Sequence, residues 1–204
     1  MSAVGERRNR EKFEAQTPMP RAAMKYSFEL SGHRRANVWL DEAPPTAYTA
    51  LSVEAKVVKP KSAIDATRRI AGVEVNFPHG PKSSYALLGA ELIEAEVEGL
   101  EVSASVNGFG TPFSASLANK LDRVRVGLPD EFAAAVICGA ARIAEEAGAP
   151  VKRKLWFRWA AHGFVNSSPF VFEQVGGIVL ELLSIRSVGE ETLIRALLER
   201  ATIR

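Results

Sequence analysis

Cysteine is almost absent from this chain. A single one, Cys138, stands among 204 residues, which excludes an internal disulfide framework. Long apolar runs are missing as well, since none approaches the roughly 20 residues that a bilayer-spanning helix needs. The first 23 residues have no apolar core, so they do not read as a secretory leader. Charge of one sign is lacking too: 26 basic residues face 24 acidic ones, for a net charge of +2. Any attraction for nucleic acid must therefore come from local patches. A phosphate-binding loop is also absent. In "HGPKSS" the Gly-Lys step is interrupted by Pro81, and the upstream glycine spacing is wrong. These absences point to a protein of the reducing cytoplasm with no metal, no cofactor and no membrane partner.

What is present suffices for a core. At 47% hydrophobic the chain can fold as one α+β unit, or as two small ones in contact. Residues 1–23, with Arg7, Arg8, Arg10 and Lys12, read as a disordered basic tail, in preference to an RNA-binding arm. Residues 24–95 read as a β-rich portion of unknown type, with strands at "YSFEL", "RANVWL" and "TALSVEAKVV". A helix is expected from Ser62, with Asp65 as capping partner, to the stop at Gly72, followed by a strand at "GVEVNF". "ELIEAEVEG" and "LEVSASV" alternate about Gly99 and predict a hairpin. "NGFGTP", residues 107–112, predicts an exposed loop whose glycines supply positive φ, and "FSASLA" a further strand.

The remainder, residues 96–204, carries the clearest helix signals. Pro129 opens a helix over residues 129–147, with Asp130 and Glu131 on its positive end and Phe132, Val136, Ala140, Ile143 and Ala147 at helical spacing. Cys138 falls on its opposite side and reads as a packing residue rather than a nucleophile. Ser168 and Pro169 cap and open a second helix to about residue 184, with Phe172, Val175, Val179 and Leu182 as its buried stripe. A C-terminal helix ends the chain.

Two stretches are candidates for function. In the strand "VKRKLWFRW", a period of two sends Val151, Arg153, Leu155, Phe157 and Trp159 one way and Lys152, Lys154, Trp156 and Arg158 the other. Cations interleaved with an indole suit RNA, by phosphate neutralisation and base stacking. Equally, Glu94, Glu96 and Glu98 on a neighbouring strand could pair with those cations. "HGFVNSS" is the loop after this strand. Its His162, Asn166 and Ser167, with Asn107 and Phe109 of the other loop, complete the candidate RNA-binding set. As a Ser/His catalytic site it lacks an acid to orient His162.

The same residues carry a resemblance. "GLPDEFAAAVICG" resembles the segment of elongation factor G domain IV in which a Pro-x-Glu-aromatic-x-x-Ala-Val-x-x-Gly pattern opens the first helix. Pro129, Glu131, Phe132, Ala135, Val136 and Gly139 match it. Gly148 and Pro150 match the family's Gly-x-Pro. "HGFVNSSPFVF" is similar to its His-x-Val-Asp-Ser-Ser-x-x-x-Phe, through Val165, Ser167, Ser168 and Phe172. Ribosomal protection proteins share this domain. The resemblance covers residues 126–183 and extends loosely from 99. It implies a sheet with helices packed on one face, a left-handed βαβ crossover, and two tip loops that approach the decoding centre and tRNA. This chain departs from the family in having no GTPase domain, a shorter linker between helix and strand, Asn166 in place of Asp, and an extra residue at Gly163-Phe164.

The leading expectation is therefore a non-catalytic RNA- or ribonucleoprotein-binding protein. The alternatives are a small-molecule enzyme using His162 and Ser167 with the helix N-terminus as an anion site, and a homo-oligomeric structural protein with Trp156 and Trp159 at its interface.

Overall fold

Alternating apolar residues build the first strands where the sequence places them: β1 (Met24–Glu29), β2 (Arg35–Leu40) and β3 (Ser52–Val58). The computed structural model describes residues 22–66, 68–118, 120–185 and 189–201, so nearly all of the expected basic tail lies outside the described residues. The chain continues with β4 (Ile70–His79), β5 (Lys82–Glu94), β6 (Leu100–Val106), β7 (Val124–Val126), α1 (Asp130–Ala147), β8 (Arg153–Gly163), α2 (Pro169–Leu183) and α3 (Glu190–Arg200). All eight strands join one mixed sheet in the order β1-β2-β4-β5-β8-β6-β3, with β7 on the far half of β8. Strands from both sides of residue 95 are interleaved in it, and β3 lies beyond β6 at the opposite edge from β1 and β2.

The fold is α+β, and α1 and α2 lie together on one sheet face. There Val73, Val75, Leu88, Val102, Leu155 and Phe157 meet Phe132, Val136, Phe172, Val175 and Val179 in one core. β6 and β8 are parallel and α1 lies in the connection between them, so the unit is a βαβ crossover. Both helices start at the same end of the sheet, where Phe132 and Phe172 stack with centroids 4.8 Å apart. Their backbones touch. A Cβ added to Gly139 would lie 1.8 Å from the Glu173 carbonyl oxygen, and one on Gly176 2.6 Å from that of Val136.

The other face is covered in part. The β2–β3 connection crosses it, laying Pro44 over Gly72 and Gly89, and residues 113–118 seal Trp39, Tyr85, Leu87 and Ala161. α3 is fastened to the β1–β2 end by an ion pair of Arg34 with Glu199. Fully buried Arg68 adds to this, pairing with Asp41 at 2.6 Å and with Glu190. Among the described residues no helix is long and apolar enough to cross a membrane.

Three expected elements are corrected. Among the described residues no helix forms between Ser62 and Gly72. Ala63 instead bridges to Ala149, with Ile64 N–H donating to the Ala149 carbonyl and Ala149 N–H to that of Ser62, so tertiary pairing overrides a weak helical propensity. The hairpin about Gly99 does not exist, because β8 is inserted between β5 and β6 and pairs with both. β5 ends at Glu94, and Glu96 and Glu98 lie in the connection. Alternation says which way side chains point, not which strand lies alongside. "FSASLA" is not a strand; its Phe113 and Ala118 pack downward, while the Leu117 N–H is satisfied by the Glu74 carboxylate at 2.7 Å.

The helix contact gives a test. Alanine exceeds glycine in helix propensity by about 1 kcal/mol, but overpacking costs about 1–3 kcal/mol. Gly139→Ala should therefore destabilise the protein in chemical denaturation, whereas Cys138→Ala, one residue away and exposed, should change stability by less than about 0.5 kcal/mol.

Candidate nucleic-acid interface

The basic strand face is present but neutralised. On the sheet face away from the helices, Lys154 pairs with Glu101 of β6 at 2.8 Å, and Arg158 with Glu91 of β5 at 3.1 Å. Arg153 reaches Glu94 at 3.7 Å. The cations are paired across strands as the alternative reading expects, but by other carboxylates: Glu101 and Glu91 take Lys154 and Arg158, while Glu94 reaches Arg153 instead. The Trp156 ring lies between Lys154 and Arg158, and its N–H donates to Ser105 Oγ at 3.0 Å. Lys152 precedes the strand with φ 55°, and its backbone ties down the connection after β5 through Ala95 and Gly99. The strict period of two fails at a bulge: Ala90 pairs with Phe157 but Gly89 with Trp159, so Arg158 is the extra residue. Trp159 thereby turns to the face of Gly89 and Pro44, opposite to the side the alternation predicts.

His162 is not in a loop, contrary to expectation. β8 continues through Gly163, and the imidazole is 8% exposed, edge-on to Phe132 with centroids 6.0 Å apart. Its Nδ1 lies 3.0 Å from the Gly127 carbonyl oxygen, which can only accept, so Nδ1 carries the proton. Burial holds its pKa below the ordinary value, and the Arg125 guanidinium adds to that. Ser167 is likewise structural, its hydroxyl donating to the Tyr85 carbonyl at 2.7 Å and accepting from Gly163 N–H at 2.8 Å. A nucleophilic serine needs its hydroxyl proton directed at a base. Here that proton is on a backbone carbonyl, and the histidine proton is on another. The pair is not a catalytic dyad.

The loop that follows is held by Asp122, one of whose oxygens accepts from Val165 N–H at 2.9 Å and Asn166 N–H at 2.8 Å. The Asn166 carbonyl accepts from Tyr85 N–H at 2.7 Å. Ser168 caps α2, accepting from Val171 N–H, and Pro169 opens the helix as expected. The other loop is organised by Asn107, whose side chain accepts from Phe109 N–H at 2.9 Å and donates to the Thr49 carbonyl at 2.8 Å. Its glycines do not take positive φ. Gly110 is needed for proximity, because a Cβ there would sit 1.8 Å from the Val126 carbonyl oxygen.

Between the two loops lies a residue that sequence reading passed over. Arg125 of β7 reaches the Gly110 carbonyl at 3.4 Å on one side and stands over the Phe164 ring, 5.6 Å from its centroid, on the other. Phe109 is 86% exposed and Phe164 65%, each on its own loop. Among the described residues neither Arg123 nor Arg125 takes part in an ion pair. The signal was in "DRVRVG", where alternating Arg and Val ahead of a glycine marks a short strand with cations on it. No family model matches this chain, and no curated protein matches it.

Two outcomes follow from these bonds. Because the fold favours the neutral form of His162, its contribution to stability is complete above the unfolded pKa of about 6.5 and is lost as pH falls below it. Thermal melting should thus show a loss of stability between pH 7.5 and 5.5 that is smaller in His162→Gln. Ser168→Ala should cost about 1 kcal/mol in equilibrium unfolding through the lost cap.

Proposed function

We propose that this protein is a non-catalytic RNA- or ribonucleoprotein-binding protein of the cytoplasm, and that its contact surface is the end of the sheet formed by the loop at residues 107–112, β7, and the loop at residues 163–167. The observation that carries this reading is the Phe109, Arg125, Phe164 arrangement: two exposed rings on separate loops, and a guanidinium reaching both loops that has no ion-pair partner among the described residues. Exposed phenyl rings offer faces on which bases stack, worth about 1–3 kcal/mol per base, and a guanidinium without a carboxylate partner keeps its charge for phosphate. The resemblance to domain IV of elongation factor G supports the same end of the molecule, since the two loops correspond to that family's tips. Asn107, His162, Asn166 and Ser167 shape the surface from behind, and Phe109 meets the RNA directly. The neutralised face of Lys154, Trp156 and Arg158 is secondary to it.

Binding is measured by fluorescence anisotropy with a structured RNA and by co-sedimentation with ribosomal subunits. Phe109→Ala and Phe164→Ala should each weaken binding roughly five- to a hundredfold, and Arg125→Gln should lower the salt slope by about one. Lys154→Gln should leave binding near that of the parent, because Glu101 already neutralises that charge. Unchanged affinity in all three tip variants would remove the proposal.

A further inference from the structure

The sheet ends in a seven-residue edge strand with neither proline nor register shift. β3 pairs with β6 along all seven residues, from Ser52↔Val106 to Val58↔Leu100, with no register shift, and its other side has no strand neighbour among the described residues. Exposed edges are normally blunted by proline, a bulge, a short length or charged side chains, since their free N–H and C=O groups template pairing with another chain. Within Ser52–Val58 β3 has no proline and no register shift, and its two charged residues, Glu54 and Lys56, are of opposite sign. It presents Val53, 51% exposed, and Val57, 46% exposed, on the face away from the helices.

The order of side chains along β3, "SVEAKVV", is self-complementary. When this strand is laid antiparallel to a copy of itself about Ala55, Val53 faces Val57, Glu54 faces Lys56, and Ala55 faces Ala55, each relation occurring twice. Two-fold association requires such a surface, and opposite charges or branched apolar residues set directly across a ladder stabilise it. Centring the pairing on Glu54 or on Lys56 instead would oppose like charges. Shifting by one residue would set Val53 against Lys56. Only the Ala55-centred register satisfies every pair between residues 53 and 57. We infer that β3 is a homodimerisation strand, through which two copies of this chain join their sheets edge to edge in antiparallel register about Ala55. This inference is independent of the RNA-binding reading.

Sedimentation velocity across a concentration series reads the assembly directly. The parent chain should dimerise. Glu54→Lys alone and Lys56→Glu alone each turn both charge pairs into like pairs, and should weaken the dimer by roughly tenfold or more. The exchanged double variant, Glu54→Lys with Lys56→Glu, should restore it. At concentrations low enough for the parent to be monomeric, circular dichroism melting should be unchanged by either single substitution. Ala55→Cys in a Cys138→Ser background gives a second readout. Opposed residues in an antiparallel ladder have Cα atoms about 4.5–5.5 Å apart, within disulfide range, so mild oxidation should give a covalent dimer. A parent that stays monomeric at its highest workable concentration would overturn the inference. So would a dimer whose strength ignores the charge exchange, or an Ala55→Cys variant that fails to cross-link.

Discussion

The direct backbone contact of α1 with α2 governs the end of the molecule at which both helices begin. Glycines at 139 and 176 let each helix approach the other's carbonyl oxygens more closely than any side chain would permit. That closeness is what brings Phe132 and Phe172 into a stack within the opening turns. The starts of the two helices are consequently side by side, and the loops that lead into them, one after β7 and one after β8, emerge together. Arg125 reaches Gly110 and Phe164 from β7, which is held beside them by its pairing with β8. Helix packing sets where this end of the molecule lies, and Asn107 and Asp122 set the shape of its loops.

Electrostatics divides the molecule along the same line. On the open sheet face, cations and carboxylates from neighbouring strands lie across from one another and cancel locally, as Lys154 with Glu101 and Arg158 with Glu91. At the tip the cations lack such partners among the described residues, and Asp122 spends its oxygens on backbone N–H groups. A buried carboxylate, Glu74, takes the same anchoring role behind the tip. It accepts from Leu117 N–H, Asn37 and Tyr85, with its pKa raised by burial in spite of those donors. Negative charge inside holds the loops, and positive charge outside remains available.

The helices were legible because their signals are local. Pro129, Ser168 and Pro169 mark beginnings and Gly148 an end; the stripe from Phe172 is buried as spaced, and that from Phe132 is buried through Ala140, with Ile143 half-buried and Ala147 exposed. Strand positions could be read for the same reason. Strand neighbours could not, since the insertion of β8 between β5 and β6 joins residues far apart in sequence. The bulge at Arg158 and the burial of His162 were hidden likewise: one depends on the register with Gly89, the other on Phe132 arriving from α1. Of the candidate site, Phe109 could be read from exposure expected of a glycine-rich loop. Arg125 could not be weighted without knowing that Gly110 and Phe164 flank it.

The place of β8 also bears on the order in which the protein can be made. It is a central strand, yet it begins at residue 153 of 204, after both of its full neighbours β5 and β6. Until it emerges from the ribosome, those two strands each have an open edge, and β5 carries a continuous apolar run from Tyr85 to Leu88. Pairings between distant residues are slow to form, and open strand edges are what aggregate. A chain built this way completes its sheet only once β8 has followed both of its neighbours. Its yield in a cell therefore depends on how well the unfinished β5 and β6 edges are shielded until β8 is translated.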